Sequence, residues 1–120
     1  MSGGDPMFVI VDDKTKMIAV SHGDSAFFDI TFHGDIPEDG TNTVFTVKKE
    51  IIGRPAGKAV LQKYVKVCDG IVPIDLFSQD TNKIEPGDYL WDLRVLFSPR
   101  EVGTPVVPSR FTVMEAVGDV

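Results

Sequence analysis

Short runs of alternating apolar and polar residues, interrupted by proline or glycine, constrain this chain more than any other feature. Eight prolines and 11 glycines are spread through its 120 residues, and neither residue suits the interior of a helix. A period of two is typical of half-buried strands, whose side chains point alternately to the core and to solvent. The sequence therefore predicts an all-β fold of about seven to eight short antiparallel strands without a helix.

The strand limits follow from where the alternation begins and ends. The fifth run carries lysines on both faces, which predicts a guarded edge strand, and a basic loop is expected before it at residues 53–58. The predicted strands are residues 7–11, 17–20, 25–32, 43–49, 60–67, 72–76, 89–97 and 109–114. The side chains expected to face the core are Ala26, Phe28, Ile30, Phe32, Phe45, Val47, Leu61, Val65, Val67, Val72, Ile74, Leu76, Tyr89, Trp91, Leu93, Val95, Phe97, Phe111 and Val113.

The segment Ile84-Glu85-Pro86-Gly87-Asp88-Tyr89 leads into the long alternating run at residues 89–97. Pro86 presets its own φ angle, and Gly87 permits a sharp bend. The Ile-x-Pro-Gly-x-Tyr pattern resembles the tyrosine corner of immunoglobulin-like and fibronectin type III domains, in which the tyrosine hydroxyl bonds back to the corner backbone. The resemblance implies an immunoglobulin-like Greek-key β-sandwich with Gly87, Tyr89 and Trp91 as its structural corner. A closed barrel is the alternative architecture.

Length and composition fit one domain. A chain with 42% hydrophobic and 25% charged residues is ordinary for a folded globular protein. We expect the domain at residues 7–115, a flexible N-terminus at 1–6 and a C-terminal tail at 116–120. No secretory signal is recognisable and no apolar run reaches the about 18 residues of a membrane span. Synthesis in the cytoplasm without a signal peptide, and no membrane partner, are therefore expected.

The single cysteine decides what disulfide the chain can form, and the charge distribution indicates which partners it can bind. The single cysteine, Cys68, cannot form an intersheet disulfide and is interpreted as a structural thiol near a strand end. The net charge of −6 argues against nucleic acid as a partner. Residues 41–68 nevertheless hold six cations against Glu50 alone, a local charge of +5, which leaves −11 on the rest. We expect these cations to form a docking face for an acidic partner: Lys48, Lys49, Arg54, Lys58, Lys63 and Lys66.

Catalytic and metal-binding patterns are weak. The chain has no Gly-rich phosphate loop, no paired-cysteine zinc spacing, no Gly-x-Ser-x-Gly elbow and no His-Glu-x-x-His motif, so neither an enzyme nor a bound cofactor is predicted. Two ligands do not close a metal site, and acidic turns without an EF-hand pattern are usually solvated. The metal candidates weighed on these grounds are His22 with Asp24, His33 with Asp35, and Asp35, Glu38 and Asp39 with Asp12 or Asp13. The candidate rings for stacking on a sugar are Phe27, Tyr64 and Phe77.

The C-terminal third carries a second resemblance. Pro-Gly-Asp-Tyr-Leu-Trp-Asp-Leu-Arg-Val at residues 86–95, Thr104-Pro105, and Arg-Phe-Thr-Val at residues 110–113 are similar to the terminal hairpin of immunoglobulin-like domains in tailed-phage virion proteins. They resemble in particular the N-terminal domain of baseplate upper proteins from phages of Gram-positive bacteria. The resemblance implies a virion-associated protein that docks onto other subunits.

Two functions are compatible with these observations. The first is a non-catalytic structural or accessory protein of a phage or prophage particle, in the tail, the baseplate or the head decoration, which docks onto other virion proteins or onto itself. The second is a module that binds carbohydrate or a cell surface through loops at one end or through exposed rings. Fold likeness alone does not decide between them.

Overall fold

The computed structural model describes residues 10–11, 16–32, 36–98 and 101–115. Strands dominate these residues, so the all-β prediction is confirmed. The predicted N-terminus at 1–6 and tail at 116–120 lie outside the described residues. The elements are β1 (Ile10–Val11), β2 (Ile18–Ser21), β3 (Ala26–Thr31), β4 (Asn42–Ile51), β5 (Arg54–Lys66), β6 (Ile71–Leu76), α1 (Ser78–Asn82), β7 (Gly87–Ser98) and β8 (Glu101–Met114).

The strands form two sheets. One sheet has six strands in the order β1-β2-β8-β7-β4-β5, and the other pairs β3 with β6. All neighbours are antiparallel except β2 and β8, which run parallel, so the prediction of purely antiparallel strands is wrong for this pair. Since the described strands divide into two sheets, they do not form the single closed barrel that was the alternative.

An aromatic cluster joins the two sheets. Phe45, on β4, is fully buried. Its ring centroid lies 5.4 Å from that of Trp91 and 6.3 Å from that of Phe111, both in the same sheet, and 6.0 Å from that of Phe28 on the opposite sheet. Aromatic pairs at such separations add to the free energy gained by burying their area. The core therefore lies between the sheets, around Phe45.

The predicted alternation is confirmed on most strands. The inward positions of β6 and β7 are buried, whereas the positions between them are half-buried or exposed. Lys63 lies on the inward side of β5, and β5 is an edge strand. Phe97 departs from the pattern, because its side chain at the end of β7 is 56% exposed.

Two predicted strand boundaries are wrong, and so is the prediction that the chain has no helix. Residues 54–58, expected in a loop, belong to β5, because the positive φ angles of Ile52 and Gly53 close a two-residue turn and let the strands pair up to it. β8 begins earlier than expected, since Pro105 and Pro108 lie between paired positions where its register shifts against β7. A helix, α1, was not expected; its first turn is capped by Asp80, whose carboxylate accepts from the Phe77 N–H at 2.9 Å.

Candidate functional site

The structural corner holds the turn between α1 and β7. The buried Tyr89 hydroxyl donates to the Glu85 carbonyl oxygen at 2.6 Å, and Gly87 has a φ of +154°. Burial raises the pKa of Tyr89, and the negative charge of Glu85 raises it further, so the hydroxyl stays protonated and remains a donor. The Trp91 indole N–H donates to the Lys16 carbonyl at 2.8 Å. Both aromatic residues are thus buried in the core, with their polar atoms hydrogen-bonded.

Tyr89→Phe is expected to lower the free energy of unfolding by about 1 kcal/mol, because the Glu85 carbonyl loses its donor while the ring stays packed. Urea denaturation measures the difference. Tyr64→Phe is the matched control, since Tyr64 is 72% exposed, and it should change stability by less than about 0.5 kcal/mol. Equal effects of the two changes would contradict a structural hydrogen bond at the corner.

The six predicted docking cations do not share one face. Lys48 and Lys66 lie on the side of the six-stranded sheet that faces away from β3 and β6. Lys63 lies on the opposite side of β5, where its amine is 2.8 Å from the Asp80 carboxylate. The remaining cations are exposed at or next to the β4–β5 turn: Lys49, Arg54 and Lys58.

A groove opens on the outward side of the six-stranded sheet. Register brings its central side chains together, because Thr46 on β4 pairs with Gln62 on β5 and with Asp92 on β7. We call this cavity of about 260 Å³ the outer groove. Its lining residues are Val44, Thr46, Lys48, Pro55, Gln62, Leu90, Trp91, Asp92 and Arg94. No family model, curated protein or solved structure matches the chain.

Asp92 gives the outer groove its chemical character. Its side chain is 19% exposed, and its buried Oδ1 has no hydrogen-bond partner among the described residues. The other oxygen lies 3.9 Å from Nε of Arg94, which is at the limit of an ion pair. Burial raises the pKa of Asp92, although the charges of Arg94 and Lys48 partly offset this. The groove wall therefore carries an acceptor whose hydrogen-bonding capacity is unmet.

Sequence reasoning missed the outer groove. The alternation on β7 places Asp92 and Arg94 on the outward side, and that signal was present. Their neighbours Thr46 and Gln62 lie 46 and 30 positions before Asp92 along the chain, and only the register of three strands brings them together. The groove is therefore a product of long-range pairing.

The β4–β5 turn exposes two isoleucines. The pairing of β4 with β7 ends at Lys49, so residues 50–55 form a two-stranded ribbon beyond it. Ile51 is 54% exposed and Ile52 is 95% exposed, with Ile52 at a φ of +52°. A β-branched residue in the left-handed region is an outlier. We give the name ribbon tip to four exposed residues of this turn and of the adjoining, irregularly paired part of β5: Ile51, Ile52, Arg54 and Lys58.

The outward side of the β3–β6 sheet combines rings with carboxylates. The Phe27 and Phe77 rings meet edge to face with centroids 5.7 Å apart, and Phe77 is 49% exposed. Asp75 pairs with Phe27, and Asp29 lies two residues further along the same face of β3. We call Phe27, Asp29, Asp75 and Phe77 the acidic patch. Tyr64 lies on the outward side of the other sheet, so the three candidate sugar-stacking rings do not form one site.

Two of the candidate metal ligands, His22 and Asp39, make other contacts in the structure. The His22 Nε2 lies 3.0 Å from the Asn82 carbonyl oxygen, and Asp39 accepts from the Asp69 N–H at 2.9 Å. Over the described ranges, no three His, Cys, Asp or Glu side chains are placed to share a metal ion. Asp24 and Glu38 are also described, whereas four candidate ligands lie outside the described residues: Asp12, Asp13, His33 and Asp35. Cys68 is exposed in an isolated bridge with Ile71, near the end of β5.

The only described helix, α1, has five residues, and no helix in the described part of the chain is long and apolar enough to cross a membrane.

Proposed function

We propose that this chain is a non-catalytic docking domain with an immunoglobulin-like Greek-key fold, which serves as a structural or accessory protein of a phage particle. Three features support the fold: the β3–β6 sheet packed on the larger sheet, the parallel pairing of β2 with β8, and the hydrogen bond between Tyr89 and Glu85. The placement in a phage particle rests on the resemblance of residues 84–120 to virion domains. Partners from nucleic acid or membrane are not part of the proposal.

The outer groove is the observation that carries the docking function. The Asp92 Oδ1 is buried in the groove wall and has no hydrogen-bond donor among the described residues. A buried acceptor without a donor costs about 1–3 kcal/mol, and an inserted lysine, arginine or amide from a partner would remove that cost. Lys48 and Arg94 flank the carboxylate, so they would meet acidic groups around the inserted donor. The groove therefore fits a protein segment with a donor at its centre and carboxylates beside it.

Incorporation into particles tests this function. Particles are purified from the phage or lysogen that encodes the chain, with the gene carrying Thr46→Arg, and the chain is quantified by mass spectrometry. Thr46 lies between Gln62 and Asp92, so the arginine fills the centre of the outer groove and supplies Asp92 with a cation. We expect at least a tenfold loss of the chain from the particles.

Thr31→Arg is the matched control, because Thr31 is exposed on the outward side of β3, in the opposite sheet. It should be incorporated like the wild type. Melting curves of both variants separate a docking defect from unfolding. Absence of the wild-type chain from particles would contradict the phage placement, and normal incorporation of Thr46→Arg would contradict docking through the groove.

A second candidate, glycan binding, is favoured by one observation. The outer groove is lined by hydroxyl, amide and carboxylate groups that can bond sugar hydroxyls, and the 72% exposed ring of Tyr64 pairs with Val44 on its rim. A glycan array probed with the wild type and with Thr46→Arg decides this point. Binding to a glycan that both Thr46→Arg and Tyr64→Ala abolish would favour this function, and no binding at millimolar glycan would exclude it.

A further inference from the structure

The ribbon tip exposes apolar surface that folding does not explain. Ile52 is 95% exposed, so its side chain adds almost nothing to the core. It occupies the first position of a two-residue turn with positive φ, where asparagine, aspartate or glycine is the usual residue. A strained outlier of this kind is a reason to look for a function. The isoleucine is therefore better explained by a contact outside its own chain.

The charges around the ribbon tip indicate what that contact requires. Arg54 and Lys58 are exposed, and neither forms an ion pair with any described residue. The ribbon tip thus presents two aliphatic side chains with one cation in the turn and a second cation further along β5. Its complement is an apolar surface edged by carboxylates.

The acidic patch of the same chain has this complementary character. Phe77 is 49% exposed beside Phe27, and Asp29 and Asp75 are exposed next to the rings. Lys63 is a cation next to this patch, and its amine lies 5.7 Å from the Phe77 ring centroid. That amine is already paired with Asp80 at 2.8 Å, so it does not neutralise Asp29 or Asp75.

We propose that the ribbon tip of one copy docks onto the acidic patch of a second copy. The contact joins two different surfaces, so a pair of copies still has one free patch and one free tip, and further copies assemble head to tail into a ring or a filament. The overall charge of −6 opposes unspecific association. This inference deepens the proposed docking function but does not use the outer groove, so the two can fail separately.

Sedimentation velocity of the whole chain over a range of concentrations tests the contact. We expect the wild-type mass to rise with concentration, and this rise to shrink at high salt because screening weakens the ion pairs. Ile52→Asn should weaken association at least tenfold while raising the melting temperature by about 3–6 °C, since relief of turn strain stabilises the chain. Ile36→Asn is the control, because Ile36 is 61% exposed but belongs to neither surface; it should associate like the wild type.

A charge exchange makes the test specific. The variant Arg54→Glu with Lys58→Glu and the variant Asp29→Lys with Asp75→Lys should each stay monomeric. Their mixture should associate, because every tip then meets a patch of opposite sign. A monomeric wild type, or a mixture that stays monomeric, would overturn the proposal. So would binding of the wild type to phosphatidylserine vesicles that Ile52→Asn abolishes, if no self-association accompanies it. Thr46→Arg should self-associate normally, which separates this contact from the groove.

Discussion

Phe45→Ala is expected to lower the free energy of unfolding by about 3–5 kcal/mol, the cost of emptying a large buried site. Phe45 is fully buried, and its ring contacts Trp91, Phe111 and, across the sandwich, Phe28. Its removal therefore loosens the packing within one sheet and between the sheets. Urea denaturation measures the loss, and the milder Phe45→Leu keeps the comparison measurable if the alanine variant does not fold.

Phe77→Ala is the control for this prediction, because Phe77 is aromatic but 49% exposed. Its truncation should cost about 1–2 kcal/mol, because half of the ring is exposed and the losses are the contacts with Phe27 and Lys63. If Phe45 and Phe77 variants lose the same stability, the core does not lie around Phe45.

Asp80→Ala is expected to cost about 1–2 kcal/mol at pH 7, through the lost cap of α1 and the lost pair with Lys63. Burial alone would raise the pKa of Asp80, but the hydrogen bonds from Lys63 and the Phe77 N–H, with the charges of Lys63 and Lys83, hold it below its usual value. The ionised carboxylate therefore adds stability that is present above pH 3.8, the ordinary value, and is lost as the pH falls through the lower folded-state pKa. Urea denaturation from neutral to acid pH should show the difference from wild type shrinking in that acid range.

Asp92→Ala is the matched control, because the pKa of Asp92 is shifted in the opposite direction to that of Asp80. Burial raises the pKa of Asp92 above its ordinary value of 3.8, so its contribution to stability is present below that value and is lost as the pH rises through the folded-state pKa. At pH 7 the ionised, partly desolvated carboxylate lowers the free energy of unfolding, so the alanine variant should be at least as stable as the wild type. A loss of stability for both variants at pH 7 would show that Asp92 has a partner within the fold.

Local alternation predicted the strand faces because burial on one side leaves a period of two in the sequence. It failed where local rules were broken. Ile52 is not a residue typical of its turn, so the sequence predicts a start of β5 that is later than the observed one. The prolines of β8 likewise predict a late start for that strand, although they lie at irregular positions within its register. Phe97 continues the apolar alternation of β7, which predicts a buried side chain, but it lies beyond the end of the core and is exposed. The parallel pairing of β2 with β8 joins opposite ends of the chain and leaves no local pattern.

The positions of the charged residues also depend partly on local alternation and partly on long-range pairing. Six cations are close together in the sequence between residues 41 and 68. In the structure they lie on different surfaces, because side chains alternate along the strands and because the β4–β5 ribbon extends beyond the sheet. Lys48 lines the outer groove, while Lys63 pairs with Asp80 on the other side of the sheet. The net charge of a stretch of sequence therefore does not give the net charge of one surface of the folded protein. The outer groove contains only one of the six predicted docking cations, Lys48, and it also contains the negatively charged Asp92. It is therefore smaller than the predicted docking face, and its charges are more mixed in sign.

Lysine footprinting of the chain in purified particles tests the docking surface most directly. Acetylation is compared between the free chain and the particle-bound chain, and each lysine is quantified by mass spectrometry. We expect Lys48 and Lys66, on the outward side of the six-stranded sheet, to be protected in particles, and the exposed Lys83, beside α1, to react as in the free chain. Equal reactivity of Lys48 and Lys66 in both states would contradict docking through the outer groove.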